Sequence, residues 1–313
     1  MAKRKNPLNP KNNDTKVASI VLGLFAAAII FFFIFSNTKE SRQEAHQPKA
    51  VPVSEREPVD QYIPSENFKP VEPTPAPQPA APEFPKNIPG SGGKIAIILD
   101  DWGQTTANCK YLREIPEPLA VSILPGLRHT KDVAACAKLY HKVAMLHLPL
   151  EAQHNFDFYP PDYIIKTTMK PDLASKIVDD DLAQLPSIEG VNNHMGSKAT
   201  EDRPLMKLIL RKLKKKGLFF VDSMTAHNTV CAAVADELGV TFGKRDVFLD
   251  NVMTREAITK QFVALAQRAR HKGYAVAIGH DRHLTMQVIK DEIPWLERQG
   301  FQIVSIKELL KYR

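Results

Sequence analysis

Ile95-Ala96-Ile97-Ile98-Leu99-Asp100-Asp101-Trp102-Gly103 is the stretch on which the reading of the fold turns. Its five leading apolar residues are too few to span a membrane and suit a buried strand. Two adjacent carboxylates stand where that strand ends, and Gly103 can open a tight turn behind them. In α/β folds the C-terminal ends of strands are where chemistry is placed. There, one carboxylate can hold a metal while its neighbour takes a proton. A solvated acidic turn would account for an isolated Asp-Asp. The weight shifts because several later strands also end in His or Asp.

Working outward, apolar strand-like runs recur at 95–99, 119–124, 143–148, 190–193, 218–221, 247–249, 274–278 and 301–304. Helical patterns lie between many of them. The segment 172–185 opens after Lys170-Pro171, a favourable helix start. The segment 202–216 puts Leu205, Leu208, Ile209 and Leu213 on one face and stops at Gly217. The segment 228–238 is predicted to be capped by Asn228 and closed by Gly239. Helices over 254–271 and 284–299 stop at Gly273 and Gly300. Strand, helix, glycine, strand is the βα repeat of a parallel sheet. About seven strands over residues 93–313 predict an α/β fold, a deformed (β/α) barrel, with an open doubly wound sheet as the alternative. The first strand is not followed by Gly-x-Gly-x-x-Gly, and no Gly-Lys-[Ser/Thr] loop occurs, so common modes of nucleotide binding are unsupported.

Upstream of this domain the composition changes twice. Residues 17–36 are almost uninterruptedly apolar, about the 20 residues a bilayer-crossing helix needs. Lys3, Arg4, Lys5, Lys11 and Lys16 precede them against a single acid, Asp14. The positive-inside rule then keeps residues 1–16 as a cytoplasmic tail and sends the remainder across. The expectation is an uncleaved, single-pass inner-membrane signal anchor, with the C-terminal domain periplasmic or otherwise extracytoplasmic. A cleavable signal peptide competes, but its apolar region would be unusually long. Residues 37–92 carry half of the chain's 24 prolines and no apolar period. They are expected to form a disordered, polyproline-like linker. The net charge of +7 belongs partly to the tail and partly to 211–216 at a helix end, where cations suit the helix dipole. It does not indicate nucleic-acid binding. Cys109, Cys136 and Cys231 show no metal-ligand spacing. One disulfide among them is open, without a defined pair.

Six segments offer chemistry. Asp100 and Asp101 come first, then His147 at the end of an apolar run. Next is Asn192-Asn193-His194-Met195-Gly196-Ser197, which reads as a strand delivering amide and imidazole groups into a pocket, its backbone held close by Gly196. Asp222 either orients a ligand His or caps the following helix. His280 ends another apolar strand and titrates near neutrality, as a general acid should. The 245–250 segment adds the Asp250 carboxylate or only a loop ion pair. A barrel end would gather Asp100, Asp101, His147, His194, Asp222 and His280. One Asp with two His makes an open site for a divalent metal such as zinc. Asp100 would take the proton from water and His280 would protonate the leaving group. Trp102, Phe156, Phe158 and Tyr159 are candidates either for stacking on sugar rings or for packing a loop.

With these residues in hand, the chain resembles the divergent polysaccharide deacetylase family. The resemblance rests on Leu-Asp-Asp-Trp-Gly at 99–103, His-Leu-Pro-Leu-Glu at 147–151, Asn-Asn-His-Met-Gly-Ser at 192–197, Phe-Val-Asp-Ser-Met-Thr at 220–225, Phe-Leu-Asp at 248–250 and Gly-His at 279–280. It implies a deformed barrel related to the carbohydrate-esterase deacetylases, which remove acetyl groups with a metal held by one Asp and two His. It further implies Asp100 as base, Asp101 as metal ligand and His280 as late catalytic His. In those deacetylases glycine directly follows the Asp pair and two ligand His lie four residues apart. Here Trp102 intervenes, and His147 and His194 are followed at that spacing by Glu151 and Lys198. The second His ligand therefore comes from another strand, or Glu151 substitutes, or the metal site is lost. The expected metal set is Asp101, His147 and His194, with Asn193, Ser197, Asp222 and Glu151 supporting it or contacting substrate. The expected function is a metal-dependent envelope hydrolase acting on a polysaccharide such as peptidoglycan. The alternative is a barrel that binds glycan or protein without turnover.

Overall fold

The computed structural model describes residues 92–154, 159–160 and 162–312. The expected tail, anchor and most of the linker lie outside the described residues, as do Phe156 and Phe158. No helix among the described residues is long and apolar enough to cross a membrane.

Nine parallel strands form one sheet. They are β1 (Lys94–Trp102), β2 (Ala120–Ile123), β3 (Val143–Leu150), β4 (Gly190–Met195), β5 (Phe219–Asp222), β6 (Phe242–Lys244), β7 (Val247–Phe248), β8 (Tyr274–His280) and β9 (Gln302–Ile303). Between them run α1 (Cys109–Glu114), α2 (Thr130–Leu139), α3 (Pro171–Gln184), α4 (Arg203–Lys216), α5 (Cys231–Leu238), α6 (Arg255–Lys272), α7 (His283–Arg298) and, last, α8 (Ile306–Leu309). The strand order is β6-β5-β4-β3-β2-β1-β8-β7, with β9 also paired to β1. This is a barrel's cyclic order with one seam: β6 and β7, although joined by only Arg245 and Asp246, do not pair. The count is nine rather than about seven. β7 and β9 have two residues each, and β6, Phe242-Gly243-Lys244, has no apolar run to announce it.

Side-chain alternation divides the sheet into two faces. Ile95, Ile97 and Leu99 point to the large core shared with the helices. Ala96, Ile98, Ala120, Val143, Met145, Phe219, Val221, Val276 and Ile278 point the other way, into the curl of the sheet. Ile306, Leu309 and Leu310 pack into that same cluster at the strands' N-terminal end. Each such fully buried aliphatic side chain stabilises the fold by about 1.5–3 kcal/mol. The inner face is thus apolar at its base. One residue pair further along, it becomes polar on β1, β2, β3, β4 and β8, where Asp100, Ser122, His147, Asn192 and His280 continue the same inward parity.

The helix starts follow local chemistry. Asp202 Oδ1 accepts from the Leu205 N–H at the start of α4, and Thr254 Oγ1 accepts from Ala257 at the start of α6. The predicted Asn228 cap of α5 is corrected. That helix begins at Cys231 with Val230 at the N-cap position; Asn228 lies in the turn before it, and Thr229 gives its hydroxyl to Asp222. Cys231 is buried, whereas Cys109 and Cys136 are each partly exposed and lie beside one another.

Candidate metal centre

The two adjacent carboxylates reach one pocket because β1 breaks its alternation between them. Leu99 pairs with Val121 and Trp102 with Ile123, so Asp100 and Asp101 together face the single residue Ser122. This is a β-bulge, and Asp101 takes φ 65° within it. A regular strand would send Asp101 to the helix-covered face with Leu99. The bulge turns it inward beside Asp100 and sends Trp102 outward instead. Trp102 is fully buried in the helix-side core, so of its two candidate roles sugar stacking is corrected and packing is what the structure shows. Of the three further non-glycine residues with positive φ among the described residues, His141 lies away from this cavity, while Met195 (52°) and Met224 (53°) end β4 and follow β5. Such strain persists where surrounding structure fixes it, and Asp101 and Met195 both line the cavity.

Asp101 Oδ1 lies 3.2 Å from His147 Nε2 and 3.1 Å from His194 Nδ1, and the two imidazole nitrogens are 3.2 Å apart. The three atoms form a nearly equilateral triangle. A tetrahedral ion with bonds of about 2.0–2.1 Å sets its ligands about 3.3–3.4 Å apart. Asp101 Oδ1 is also buried without a hydrogen-bond partner, despite its closeness to both nitrogens. The two imidazole nitrogens meet each other at hydrogen-bond distance, and all three atoms lie close enough to share a single ion. This donor set fits a divalent metal, with Asp101, His147 and His194 as the residues that would hold it.

The surroundings select the protonation state this requires. Asn192 donates Nδ2–H to Asp100 Oδ1 (2.8 Å), so its Oδ1 is the acceptor facing His147 Nδ1 (2.8 Å). His147 therefore carries its proton on Nδ1 and turns the Nε2 lone pair to the triangle. Ser122 donates to the same Asn192 oxygen. Tyr159 packs against His194 with ring centroids 5.8 Å apart and anchors its hydroxyl on the Pro125 carbonyl. Gly196 (φ 87°) lets the β4 end pass close to β3, since a Cβ there would lie 2.9 Å from that of Leu150.

Charge at the centre is tightly balanced. Burial raises the Asp100 carboxyl above the usual carboxylate range, against the pull of His147 and His280. Burial would raise Asp101 as well, but the His280, His147 and His194 imidazoles outweigh it and hold Asp101 well below that range. Burial would lower His147, but Asp100 and Asp101 outweigh it and raise it. Two buried neighbouring carboxylates require positive charge at this point, from imidazolium protons or from a metal that replaces them.

His280 faces the triangle from β8, with Nε2 3.8 Å from Asp101 Oδ2. Its Nδ1 donates to Asp250 Oδ1 (2.8 Å). Asp250 Oδ2 accepts from the His280 backbone N–H (2.9 Å) and the Thr285 hydroxyl (2.7 Å). Burial would lower the His280 pKa, but Asp101 and Asp250 reverse this and bring it to about 9. Phe248 packs edge-on against the imidazole. Asp100, Asp101, His147, His194, Phe248 and His280 line a cavity of about 290 Å³.

The other predicted residues fall around this centre rather than in it. Asn193 lines the cavity and ties β4 to the segment after β5, accepting from the Ser223 N–H and donating to the Met195 carbonyl. Asp222 has outward parity. It accepts from the Met224 N–H and the Thr229 hydroxyl, and so shapes the loop after β5 without touching a ligand His. Glu151 is committed to Thr167 and Lys198 and is not brought to the triangle. Ser197 accepts from the Gln153 N–H and links two loops. Of the three alternatives for the missing second His, the geometry has it arrive from the adjacent strand: β3 supplies His147 and β4 supplies His194. Asn192 belongs to the segment expected to deliver amides to the pocket, but sequence reasoning assigns it no role beside His147 and Asp100, although its inward parity, two residues before His194, marks it.

A model of the divergent polysaccharide deacetylase family matches residues 97–310, and the chain belongs to that family. It is 31% identical over 209 residues to an uncharacterized protein of Escherichia coli, YibQ, a match covering 66% of this chain and 64% of that relative. The chain thus spans just under two thirds of that relative's length. Among solved structures, an uncharacterized protein from Agrobacterium tumefaciens superimposes with a TM-score of 0.66 at 19% identity, covering 70% of this chain and 90% of that one. A putative cellobiose-phosphate cleavage protein from Enterococcus faecalis gives 0.51 at 12% identity, covering 70% and 99%. At such identities the likeness concerns the fold alone.

Proposed function

We propose that this chain is a metal-dependent hydrolase of the cell envelope that removes acetyl groups from a polysaccharide such as peptidoglycan, with zinc as the metal. The Asp101–His147–His194 triangle carries this reading, flanked by Asp100 on one side and His280 on the other. Family membership supports the acetylated-polysaccharide class. A divalent ion held there supplies Lewis acidity, easing deprotonation of water and polarising an acyl carbonyl.

The chain's own groups do the proton transfers. Asp100 accepts the proton of the attacking water on Oδ2, because Asn192 occupies Oδ1. Its raised pKa makes it a stronger base than an ordinary carboxylate. His280 donates from Nε2 to the departing amine or alkoxide. Asp250 holds the ring by Nδ1 and stabilises its cationic form. Residues 17–36 would fix the chain in the inner membrane, and 37–92 would let the domain reach polymer on the far side.

Acetate release from acetylated glycans by the full-length chain tests the reading. Release should stop on chelation and fall at least about 100-fold in Asp100→Asn, in line with loss of a general base. A metal-loaded protein that releases no acetate from any acetylated glycan would leave the barrel a binding protein.

A further inference from the structure

Two guanidinium groups line the metal-centre cavity, and among the described residues neither makes a salt bridge. Arg245, at the seam between β6 and β7, donates Nε–H to the Ser223 carbonyl (2.7 Å) and Nη2–H to that of Met224 (3.0 Å). It lies over the Phe248 ring, 4.7 Å from the centroid. Two backbone carbonyls and an aromatic face fix its position, the Asp100 and Asp222 carboxylates favour its charge, and neither carbonyl contact uses Nη1. Arg282, the residue before α7, is half-buried on the other side of His280 in sequence. Its side chain has no hydrogen bond or ion pair among the described residues.

Arg245 has the Asp100 and Asp222 carboxylates to oppose its charge, whereas Arg282, half-buried at the same cavity and without an ion pair among the described residues, is placed to meet an anion from outside. Guanidinium groups pair with planar carboxylates through two parallel N–H donors. The cavity, about 290 Å³, lies near the lower end of small-molecule sites and suits a single substituted sugar ring.

We infer that this cavity takes an acetylated sugar bearing a carboxylate, such as a lactyl ether or a uronic acid, and that Arg282 and Arg245 bind the carboxylate. The acetyl group in this statement rests on the hydrolase reading; the carboxylate rests on the arginines.

Calorimetric titration of the full-length chain with N-acetylmuramic acid and N-acetylglucosamine separates the two, since only the first carries a carboxylate. Titrations are run with zinc and after chelation, so that direct metal–carboxylate contact is recognised by its loss. The wild type should bind N-acetylmuramic acid at least tenfold more tightly under both conditions. Arg282→Gln should remove that preference while leaving N-acetylglucosamine unchanged, and Arg282→Lys should restore part of it. Equal affinity for the two sugars, binding of neither, or a preference that survives Arg282→Gln would overturn the inference. Acetate release from uncharged glycans without any carboxylate preference would leave the hydrolase standing and remove the subsite. Arginine-dependent carboxylate binding without acetate release from any glycan would do the reverse.

Discussion

Asp101 and His194 sit on strands that are not neighbours, yet Asp101 Oδ1 and His194 Nδ1 are 3.1 Å apart. β2 and β3 lie between their strands. In a flat sheet three strand spacings would separate the backbones by about 14 Å. The curl of the sheet closes that gap across its interior, and the bulge at Asp100–Asp101 aims the carboxylate into it. The centre therefore depends on long-range curvature as much as on the residues that line it.

Asn192 is expected to control metal affinity without touching the ion. Asn192→Ala removes the acceptor that keeps the His147 proton on Nδ1. Such losses typically weaken metal binding by about 10–100-fold. Competition with a chelator of known affinity measures it, and an unchanged dissociation constant would contradict the tautomer argument.

Asp250 is expected to matter for turnover rather than for metal retention. Asp250→Asn keeps the shape beside His280 but removes the charge that stabilises its imidazolium. Acetate release should fall by about 10²-fold or more. Bound metal should stay at the wild-type level, because Asp250 lies outside the triangle. Parallel loss of metal and activity would show that Asp250 supports the ligand set instead.

Asp281 gives stability a distinct pH dependence. Burial pushes its carboxyl up to about 7; the Asn108 amide opposes the rise and the Asp101 charge adds to it. An unfolded Asp titrates near about 3.9. Between those values the folded chain holds a proton that the unfolded chain has released, so this group's contribution to stability falls as pH rises from about 4 to 7. Asp281→Asn should flatten the decline in Tm over that window and raise Tm at pH 7.5. Parallel Tm–pH curves for the two proteins would refute the assignment.

Much of this architecture is legible in the chain because apolar runs and terminal glycines mark βα units one at a time. The end of β8 reads directly: Ile278-Gly279-His280 is an apolar strand delivering an imidazole. What sequence leaves hidden is parity and curvature. Asp222 looks equivalent to His280 as a strand-terminal group, yet one residue of register sends it to the outer face, where it shapes a loop. Asp101 has outward parity too, and only a bulge makes it a candidate ligand. Trp102 looks like a rim aromatic until that bulge turns it into the core. Asn192 reads in sequence only as one of two amides delivered to the pocket, because an amide is neither a metal ligand nor a base. Its importance lies in two hydrogen bonds to residues 45 and 92 positions away.

The most direct measurement is the metal content of the purified full-length chain by elemental analysis, for wild type and for the Asp101→Ala/His194→Ala double variant, each after reconstitution with zinc and removal of excess ion. The account predicts near one equivalent of zinc in the wild type and almost none in the variant, with both proteins folded by circular dichroism. A wild type that retains no divalent metal, or a variant that retains as much as the wild type, would contradict it.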